Sequence, residues 1–570
     1  MKIPTARSLP SLLLAASSAL LAVGISTAVA AASATAATAA AAKGGSGDAT
    51  LRAMLPSSAD WTNLNYVKQL DLGGSVSHLL TSVTLQSNLA HDDVDGAEAV
   101  QLYFFTLPAD EARALSWARA SVRPAASSLL AKYGGIPKGQ RPVLDFNPLG
   151  PLADDADTYL FSVPVPVAAF AQAGGDNDDA AAGKDAGLML SLEASLNHIT
   201  KPLPASIKQT ESQFLVWTGD VDVRSPYPTV AGRVKVKSSH PRIVSYEPTE
   251  PATKVGSTIT FGPYSSVPAF SPTTAVAAAS VRQGKVHYQH DQPVVSLVSL
   301  ERTVEISHWG DNLAVEDRIW LRNDGPQLKG HFSRIDHQMS SFYKQGSSHA
   351  LTTLAMHLPP GARDAYFVDQ IGNVSTSHFR PLPATPSPPT TPLNLLPPTK
   401  ASLLELQPRF PLLGGWNYSF VVGFNLPLSQ GGWLKTVAGD ESSSSAAAAG
   451  VGGTVYSAAI PFLTPITDMA IDEATVRIVL PEGAEPLDLA LPFDVESSTE
   501  EVTKTYLDTR GRKTIVLRRT NNSERIGQLV YIRYRLSALD HLNKVVAVAT
   551  AVAGLFVLAI VGRRIDVRIK

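Results

Sequence analysis

The sequence predicts a mainly β protein with minor α content, arranged as two β-rich, sandwich-like domains followed by one transmembrane helix. Three observations predict this architecture. Short runs with apolar side chains at alternate positions recur through the middle of the 570-residue chain, separated by Gly, Pro and Asn-rich turns. An uncharged apolar run precedes the C-terminus. The first residues follow the charged, apolar and small-residue order of a secretory signal peptide.

Composition excludes several classes of function. The 48 Lys and Arg residues are balanced by 50 Asp and Glu residues, which argues against a general nucleic-acid binder. A hydrophobic content of 44% is sufficient for a buried core. The chain has no Cys, so disulfides, thiol nucleophiles, zinc ribbons and iron–sulfur clusters are excluded.

The N-terminus predicts entry into the secretory pathway. Lys2 and Arg7 precede an apolar run that ends in small residues at 28–30. We therefore predict a signal peptide over residues 1–30, with an uncleaved N-terminal anchor as the alternative. Residues 31–50 are mostly Ala, Ser, Thr and Gly and are predicted to form a low-complexity leader.

The body is predicted to contain a first β-rich domain over residues 51–245 and a second over 246–540. Segments such as 234–237, 303–309, 476–480 and 529–534 alternate at period two. The turn sequence at 323–325 predicts a hairpin, and the acidic segment after Pro108 predicts a helix that continues through Trp117 and Ala118. Insertions without core residues are predicted at 381–400, which is Pro-rich, and at 437–454, which is rich in Gly, Ser and Ala.

The C-terminal apolar run predicts the topology. Residues 545–561 carry no charge, and Arg563 and Arg564 follow directly. We predict a transmembrane helix over 541–562 and a short cytosolic tail over 563–570, which makes the body lumenal in a single-pass type I protein. At about 1.5 Å per residue the uncharged run is slightly short for a ~30 Å hydrocarbon core, which favours the thinner endoplasmic reticulum membrane. The alternative is a buried C-terminal core helix.

Three N-x-S/T sequons are candidate glycan acceptors in a lumenal body. Asn373 follows Gly372 and precedes a polar stretch, which predicts an exposed turn. Asn417 lies between Trp416 and Tyr418, and Asn521 lies in a polar break between strands.

No catalytic, cofactor-binding or metal site is predicted. The pairs Asp220/Asp222 and Asp93/Asp95 match the D-x-D spacing of some sugar transferases, but acids in turns at strand ends have the same spacing. His287 and His290 would point to opposite faces of a strand, which argues against a shared metal. The segment FPLLGGW at 410–416 could form a partner surface or a tight turn packed on the core.

Several longer segments resemble the ribophorin I family, and they occur in the same order as in that family. They are DWTNLN (60–65), FGPY (261–264), SHWGDNLAVE (307–316), LKGHFSR (328–334), DQIGNVSTSH (369–378), PRFPLLGGW (408–416), LPEGA (480–484) and YLDTRGR (506–512). The similarity is strongest between about 215 and 540, and the terminal span agrees with it.

The resemblance implies a non-catalytic subunit of the oligosaccharyltransferase complex of the endoplasmic reticulum membrane. That complex transfers a preassembled oligosaccharide from dolichol pyrophosphate to Asn in sequons of nascent polypeptides. The implied partners are other subunits, including the multi-span catalytic subunit, and the nascent polypeptide. Translocon contact is left open because the cytosolic tail is short. The resemblance also implies that Asn373 carries a glycan.

Two other hypotheses remain open at this point. The first is a stand-alone single-span lumenal glycosyltransferase that uses Asp220 and Asp222. The second is a cell-surface receptor ectodomain, although an ectodomain without Cys is unusual outside the cell.

Overall fold

A computed structural model describes residues 56–88, 100–124, 143–153, 155–166, 188–271, 282–342, 349–437, 453–505 and 508–564. Strands dominate these residues and helices are few, which confirms the mainly β prediction. The predicted signal peptide and leader, Asp93 and Asp95, and all but the ends of the 437–454 insertion lie outside the described residues.

The N-terminal half of the body is built from sixteen of the described strands. They are β1 (Trp61–Asp71), β2 (Val76–Ser87), β3 (Val100–Pro108), β4 (Leu115–Pro124), β5 (Val143–Leu144), β6 (Asn147–Pro151), β7 (Thr158–Pro166), β8 (Leu188–Asn197), β9 (Thr200–Pro202), β10 (Ser206–Ile207), β11 (Phe214–Asp220), β12 (Thr229–Lys237), β13 (Ile243–Glu247), β14 (Ala252–Val255), β15 (Thr258–Val267) and β16 (Gln283–Gln289).

The C-terminal half adds fifteen described strands. They are β17 (Val295–Ser307), β18 (Asn312–Asn323), β19 (Gln327–Leu328), β20 (Leu354–Leu358), β21 (Arg363–Asp369), β22 (His378–Arg380), β23 (Ser402–Leu406), β24 (Asn417–Pro427), β25 (Leu434–Thr436), β26 (Thr454–Pro461), β27 (Ala470–Val479), β28 (Glu485–Ala490), β29 (Ser497–Thr503), β30 (Arg512–Asn522) and β31 (Leu529–Leu536).

The first core lies between one large sheet and two smaller ones. The large sheet has the order β14-β15-β12-β1-β2-β8-β4-β5, and the smaller sheets have the orders β13-β16-β11-β9 and β3-β7-β6. Leu192, Trp217 and Val163 bring the three sheets into one buried cluster. Alternation places apolar residues on the core side, as in β12, where Val234 and Val236 are only 1% exposed.

The second core repeats this plan. Its large sheet has the order β21-β24-β18-β17-β27-β30-β29, and its smaller sheets have the orders β20-β23-β22 and β25-β26-β31-β28. Val304, Met356 and Ile532 represent the three sheets in the second buried cluster. The period-two pattern that predicted β17 is confirmed, because Val304 and Ile306 are buried.

The two cores meet through polar contacts. Asn197 Nδ2 donates to Asn521 Oδ1 (2.8 Å) and to the Asn522 carbonyl (3.0 Å). His198 Nε2 lies 2.7 Å from Asp472 Oδ1. Because each partner in these directional bonds has a fixed geometry, the bonds orient the two cores relative to each other.

The two buried clusters occupy separate parts of the sequence. Buried members of the first cluster lie at or before Val294, and those of the second lie at or after Val295. The division into two domains near residue 245 stays a prediction, and we propose from this partition that the boundary lies near Val294.

The short helix α1 (Ala109–Ala114) ends earlier than predicted. Its start after Pro108 agrees with the prediction, but Leu115 already begins β4, which pairs with β8. Trp117 is therefore a strand residue, and the Arg525 guanidinium lies 5.2 Å from its ring centroid. Pairing with β8 overrides the local helix propensity.

The predicted hairpin at 323–325 is wrong. Asn323 ends β18, and its buried amide donates to the carbonyls of His349 and Leu412, both at 2.9 Å. The chain then leaves the sheet, and β19 pairs in parallel with β10. Asn323 Oδ1 accepts from the N–H of Gly325 at 2.9 Å, so a local turn is present, but the strand that follows it does not return to β18.

The Pro-rich insertion at 381–400 has no strand, as predicted, yet part of it is buried, contrary to the prediction. Two 3₁₀ turns, Leu393–Leu395 and Pro398–Lys400, follow its extended part. Leu393 and Leu396 form a small buried cluster with Ala401. Asn394 Nδ2 donates to the carbonyls of Thr464 and Ile466 at 3.0 and 2.9 Å, which attaches the insertion to the body.

Two longer helices complete the described residues: α2 (Arg334–Phe342) and α3 (Ala538–Arg564). The segment Val545–Arg564 of α3 is long and apolar enough to cross a membrane, and none of it is buried against the body. The helix begins three residues before the predicted 541 because Ser537 caps it, with Oγ accepting from the N–H of Leu539 at 3.3 Å.

Candidate functional site

Three of the segments that carry the family resemblance converge at the start of α3. We call their meeting point the helix-base cluster, defined by Trp309, Glu482, Gly483, Arg510 and Asp540. Trp309, Glu482 and Asp540 line one shallow pocket. A Cβ on Gly483 would lie 2.6 Å from the Cβ of Asp540, so the Asp540 side chain packs directly against the Gly483 backbone. Arg510 Nη1 lies 3.9 Å from Asp540 Oδ1.

Glu482 organises the loop that carries Arg510. Its Oε1 accepts from the N–H groups of Thr509 (2.7 Å) and Arg510 (2.8 Å) and from the Thr509 hydroxyl (2.8 Å). Burial alone raises the pKa of Glu482, but these donors outweigh it and hold the pKa below its ordinary value. Glu482 is therefore a structural carboxylate whose bonds are made within the chain.

The hairpin between β17 and β18 presents Trp309 at its tip. Ser307 Oγ accepts from the N–H of Gly310 at 3.3 Å, and Asp311 adopts a positive φ of 45°, which closes the turn. Asp311 Oδ1 also accepts from the N–H of Ser429 at 2.9 Å. Next to the tip, His308 Nε2 lies 2.7 Å from the Tyr534 hydroxyl. The backbone is therefore fixed on both sides of Trp309, whose side chain is 64% exposed.

A second convergence forms an aromatic row, defined by Phe332, Trp416, Phe410 and Tyr418. Successive ring centroids lie 5.7, 5.9 and 5.4 Å apart in edge-to-face arrangements. Phe410 is 39% exposed. The row shows that the 410–416 segment is both a turn packed on the body and a partly exposed aromatic surface.

Asn373 lies beside this row in an exposed turn. Asp369 Oδ1 accepts from the N–H groups of Ile371 (2.9 Å) and Gly372 (3.0 Å), and Arg409 pairs with the Asp369 carboxylate. Gly372 has a φ of +136°, which favours glycine. Asp369 and Arg409 thus stabilise the turn, and the Asn373 side chain is exposed.

The other two sequons differ from each other. Asn417 is exposed at the first position of β24. Asn521 Nδ2 donates to the carbonyls of Arg113 (3.1 Å) and Leu115 (3.0 Å), and Ser523 is fully buried. Because a glycan would be attached to that same nitrogen, modification of Asn521 is incompatible with this contact between the two cores.

The two acids of the Asp220/Asp222 pair are engaged in separate ion pairs. Asp220 pairs with Arg224 at 2.8 Å, and Asp222 pairs with Arg282 at 2.9 Å. No group of three or more His, Asp or Glu side chains that could hold a metal ion occurs among the described residues. The acids therefore stabilise loops next to β11, as the turn interpretation predicted.

The two histidines of the 287–290 segment are engaged separately. His287 Nε2 lies 2.9 Å from the Leu203 carbonyl, whereas His290 Nδ1 lies 2.7 Å from Ser239 Oγ. Burial lowers the pKa of His290 to about 4. Each imidazole thus has its own partner within the chain.

Sequence reasoning did not find the helix-base cluster or the polar contact between the two cores. Four of the five cluster members lie in segments that carry the family resemblance, so the sequence marked these residues one segment at a time. Nothing in one sequence shows that segments so far apart along the chain meet at one point.

Comparison with known proteins follows the same segments. The family model described as Ribophorin I matches residues 61–563. The dolichyl-diphosphooligosaccharide–protein glycosyltransferase subunit 1 of Caenorhabditis elegans is 30% identical over 391 residues, which is 68% of this chain and 59% of that protein. Subunit 1B of Arabidopsis thaliana is 31% identical over 326 residues, 57% of this chain and 61% of that protein. The chain thus spans about 60% of the length of these relatives, and it belongs to the ribophorin I family.

Proposed function

We propose that this protein is a non-catalytic subunit of the oligosaccharyltransferase complex, which transfers a preassembled oligosaccharide from dolichol pyrophosphate to Asn in sequons of nascent polypeptides. The observation that carries the proposal is the family match over residues 61–563, together with relatives named as subunit 1 of the dolichyl-diphosphooligosaccharide–protein glycosyltransferase.

The charges of the described body support a structural role. Asp220 and Asp222 are paired with Arg224 and Arg282, so the acids of the D-x-D hypothesis are already neutralised by ion pairs. Glu482, which lies in the LPEGA segment, is likewise engaged within the chain. These contacts favour scaffolding or presentation of substrate by this chain, with the transfer chemistry performed by another polypeptide.

The topology belongs to the same proposal. In it α3 crosses the endoplasmic reticulum membrane, the body is lumenal and the basic end of the helix is cytosolic. Arg563 and Arg564 form the last turn of α3, which agrees with the positive-inside rule and with the helix dipole. The candidate span Val545–Arg564 has 20 residues, or about 30 Å of helix at about 1.5 Å per residue, and its uncharged part, 545–561, is slightly shorter than the hydrocarbon core.

The proposed partners are the other subunits, including the multi-span catalytic subunit, and the nascent acceptor chain. Apart from its chain neighbours and the backbone of α3 itself, no described heavy atom lies within 4 Å of a Cβ built on Gly554, so a partner helix can approach α3 closely at that point. For the acceptor, β21 is an edge strand of its sheet, and its last residue, Asp369, joins the aromatic row through Tyr418. An extended peptide could pair with such an edge and place side chains against exposed rings such as Phe410.

Glycan acceptance is proposed for two of the three sequons. Asn373 and Asn417 have exposed side chains on stable turns or strand ends, which suits a bulky modification. Asn521 is proposed to stay unmodified because its amide nitrogen is bonded at the contact between the two cores.

A depletion and rescue experiment tests the proposal. The protein is depleted in cells of the source organism, and sequon occupancy of a reporter glycoprotein is followed by mass spectrometry. We expect occupancy to fall, and to be restored both by the original chain and by an Asp222→Asn variant. Unchanged occupancy on depletion would contradict the proposal. Rescue by the original chain but not by Asp222→Asn would favour the glycosyltransferase hypothesis instead.

Capture and imaging provide the complementary test. Affinity capture of the full chain in mild detergent is expected to recover the multi-span catalytic subunit, and imaging is expected to show retention in the endoplasmic reticulum. Arrival of the protein at the cell surface without those partners would support the receptor hypothesis and contradict ours.

A further inference from the structure

We propose that the helix-base cluster is a lipid-contacting surface, with the Trp309 indole lying in the headgroup layer of the bilayer that α3 crosses. The proposal rests on the membrane topology given above and adds a second point of membrane contact, supplied by the folded body.

The start of α3 fixes the depth of Asp540 in the membrane. Asp540 precedes Val545, where the apolar segment begins, by five residues. At about 1.5 Å per helical residue this places Asp540 about 7.5 Å above the hydrocarbon boundary. The headgroup regions add about 10–15 Å to a hydrocarbon core of about 30 Å, or about 5–7 Å on each side. Asp540 therefore lies at the outer edge of the headgroup layer.

The folded body is attached to α3 at the depth of Asp540. The Asp540 side chain packs against the Gly483 backbone, and its Oδ1 lies 3.9 Å from Arg510 Nη1. Trp309 lines the same pocket as Asp540. The tip of the β17–β18 hairpin is therefore held beside the first turn of α3, at the level where the membrane surface begins.

The side chains exposed near the start of α3 have the chemistry of a membrane interface. Trp309 is 64% exposed, and Leu539 and Leu542 on the first turns of α3 are 73% and 52% exposed. Trp is enriched at the membrane interface because its ring is amphipathic, with an apolar body and one N–H donor. The neighbouring Arg510 has a 75% exposed side chain and could bond a lipid phosphate. Apolar, aromatic and cationic groups thus face the layer that suits each of them.

A lipid surface is favoured over a protein partner because the patch is continuous with the membrane-crossing helix. Any bilayer that surrounds Val545–Arg564 must end near Asp540, whether or not another subunit is present. A protein covering Trp309 is the competing occupant, and the experiment below distinguishes the two.

Fluorescence quenching by headgroup-labelled lipid tests the proposal. The full chain is reconstituted into phosphatidylcholine vesicles in which a fraction of the lipid carries a nitroxide on the choline group. The chain has seven Trp residues, and Trp309→Phe removes the one at issue. We expect the original chain to be quenched and Trp309→Phe to lose most of the quenchable signal. Equal quenching of the two proteins would overturn the proposal.

Trp320 offers a matched control. It is 52% exposed on β18 of the same hairpin, and at about 3.4 Å per residue it lies ~27 Å along the strand from Asn312. Trp320→Phe is expected to leave the lipid quenching unchanged. A decrease as large as that of Trp309→Phe would show unspecific quenching and would also overturn the proposal.

Two further readouts separate this inference from the proposed function. Alkaline extraction reports insertion of α3, and a chain that alkali removes from the vesicles would contradict the shared topology. If other subunits are not captured but lipid still quenches Trp309, the proposed membership of the complex is contradicted and the lipid contact is supported. If Trp309 is shielded from labelled lipid in the captured complex, a protein covers the patch and this inference falls.

Discussion

A buried ion pair between β17 and β18 gives a sharp test of how the body is held together. Arg302 and Asp317 are both fully buried, with Nε to Oδ1 and Nη2 to Oδ2 distances of 2.6 Å. Arg302 Nη1 also donates to the carbonyls of Pro461 (2.9 Å) and Leu463 (2.6 Å). The pair therefore joins the large sheet of the second core to the end of β26.

Asp317→Ala is expected to lower the free energy of unfolding by about 3–5 kcal/mol, because it leaves the Arg302 charge buried without its partner. Arg302→Met should have a similar effect, since it leaves the carboxylate unpaired. In the double variant Arg302→Met/Asp317→Leu neither charge remains, so its destabilisation should be smaller than the sum of the two single effects by at least about 2 kcal/mol.

Urea unfolding of the full chain in detergent, followed by near-ultraviolet circular dichroism, measures these differences. The exposed pair Arg477 and Glu501, 3.3 Å apart on the same sheet, serves as the control. Glu501→Ala is expected to change the free energy of unfolding by no more than about 1 kcal/mol. Single variants at the buried pair that cost as little as Glu501→Ala, or effects that simply add in the double variant, would refute the reasoning.

Three further predictions concern acceptors, packing and pH. Asn373→Gln should increase gel mobility by the loss of one glycan, whereas Asn521→Gln should leave mobility unchanged and lower the urea midpoint; a mobility shift for the second variant would contradict the assignment. Gly414→Ala should destabilise the protein by at least about 1–3 kcal/mol in the same urea assay, because its Cβ would meet a backbone carbonyl oxygen at 1.9 Å. The hydrogen bond from Asp472 raises the pKa of His198 above its ordinary 6.5, so the stability that His198 contributes is complete below pH 6.5 and is lost as the pH rises through the raised value. His198→Gln should therefore flatten the decline of urea stability above pH 6.5, and an unchanged pH profile would contradict this.

Local patterns were sufficient to predict three features of the described fold. The alternation around Val304 and Ile306 predicted β17, and the uncharged run before Arg563 predicted α3. The exposed turn at Asn373 followed from Gly372 and its polar neighbours. In each case nearby residues determine the local conformation.

Features that depend on distant partners were not predictable. α1 ends at Ala114 because the following residues pair with β8 as the strand β4. The Pro-rich insertion is anchored because Asn394 bonds carbonyls of a loop that comes much later in the chain. The candidate site itself depends on three segments that meet only after folding.

The central claim is that this chain acts inside a transferase whose reactive groups belong to another polypeptide. Its most direct test is transfer of a lipid-linked oligosaccharide to an acceptor peptide, measured in a mild-detergent extract before and after removal of this protein by antibody. We expect transfer activity to be removed with the captured material and to be absent from the purified full chain alone. Activity that stays in the depleted extract, or that appears with the purified chain alone, would contradict the account.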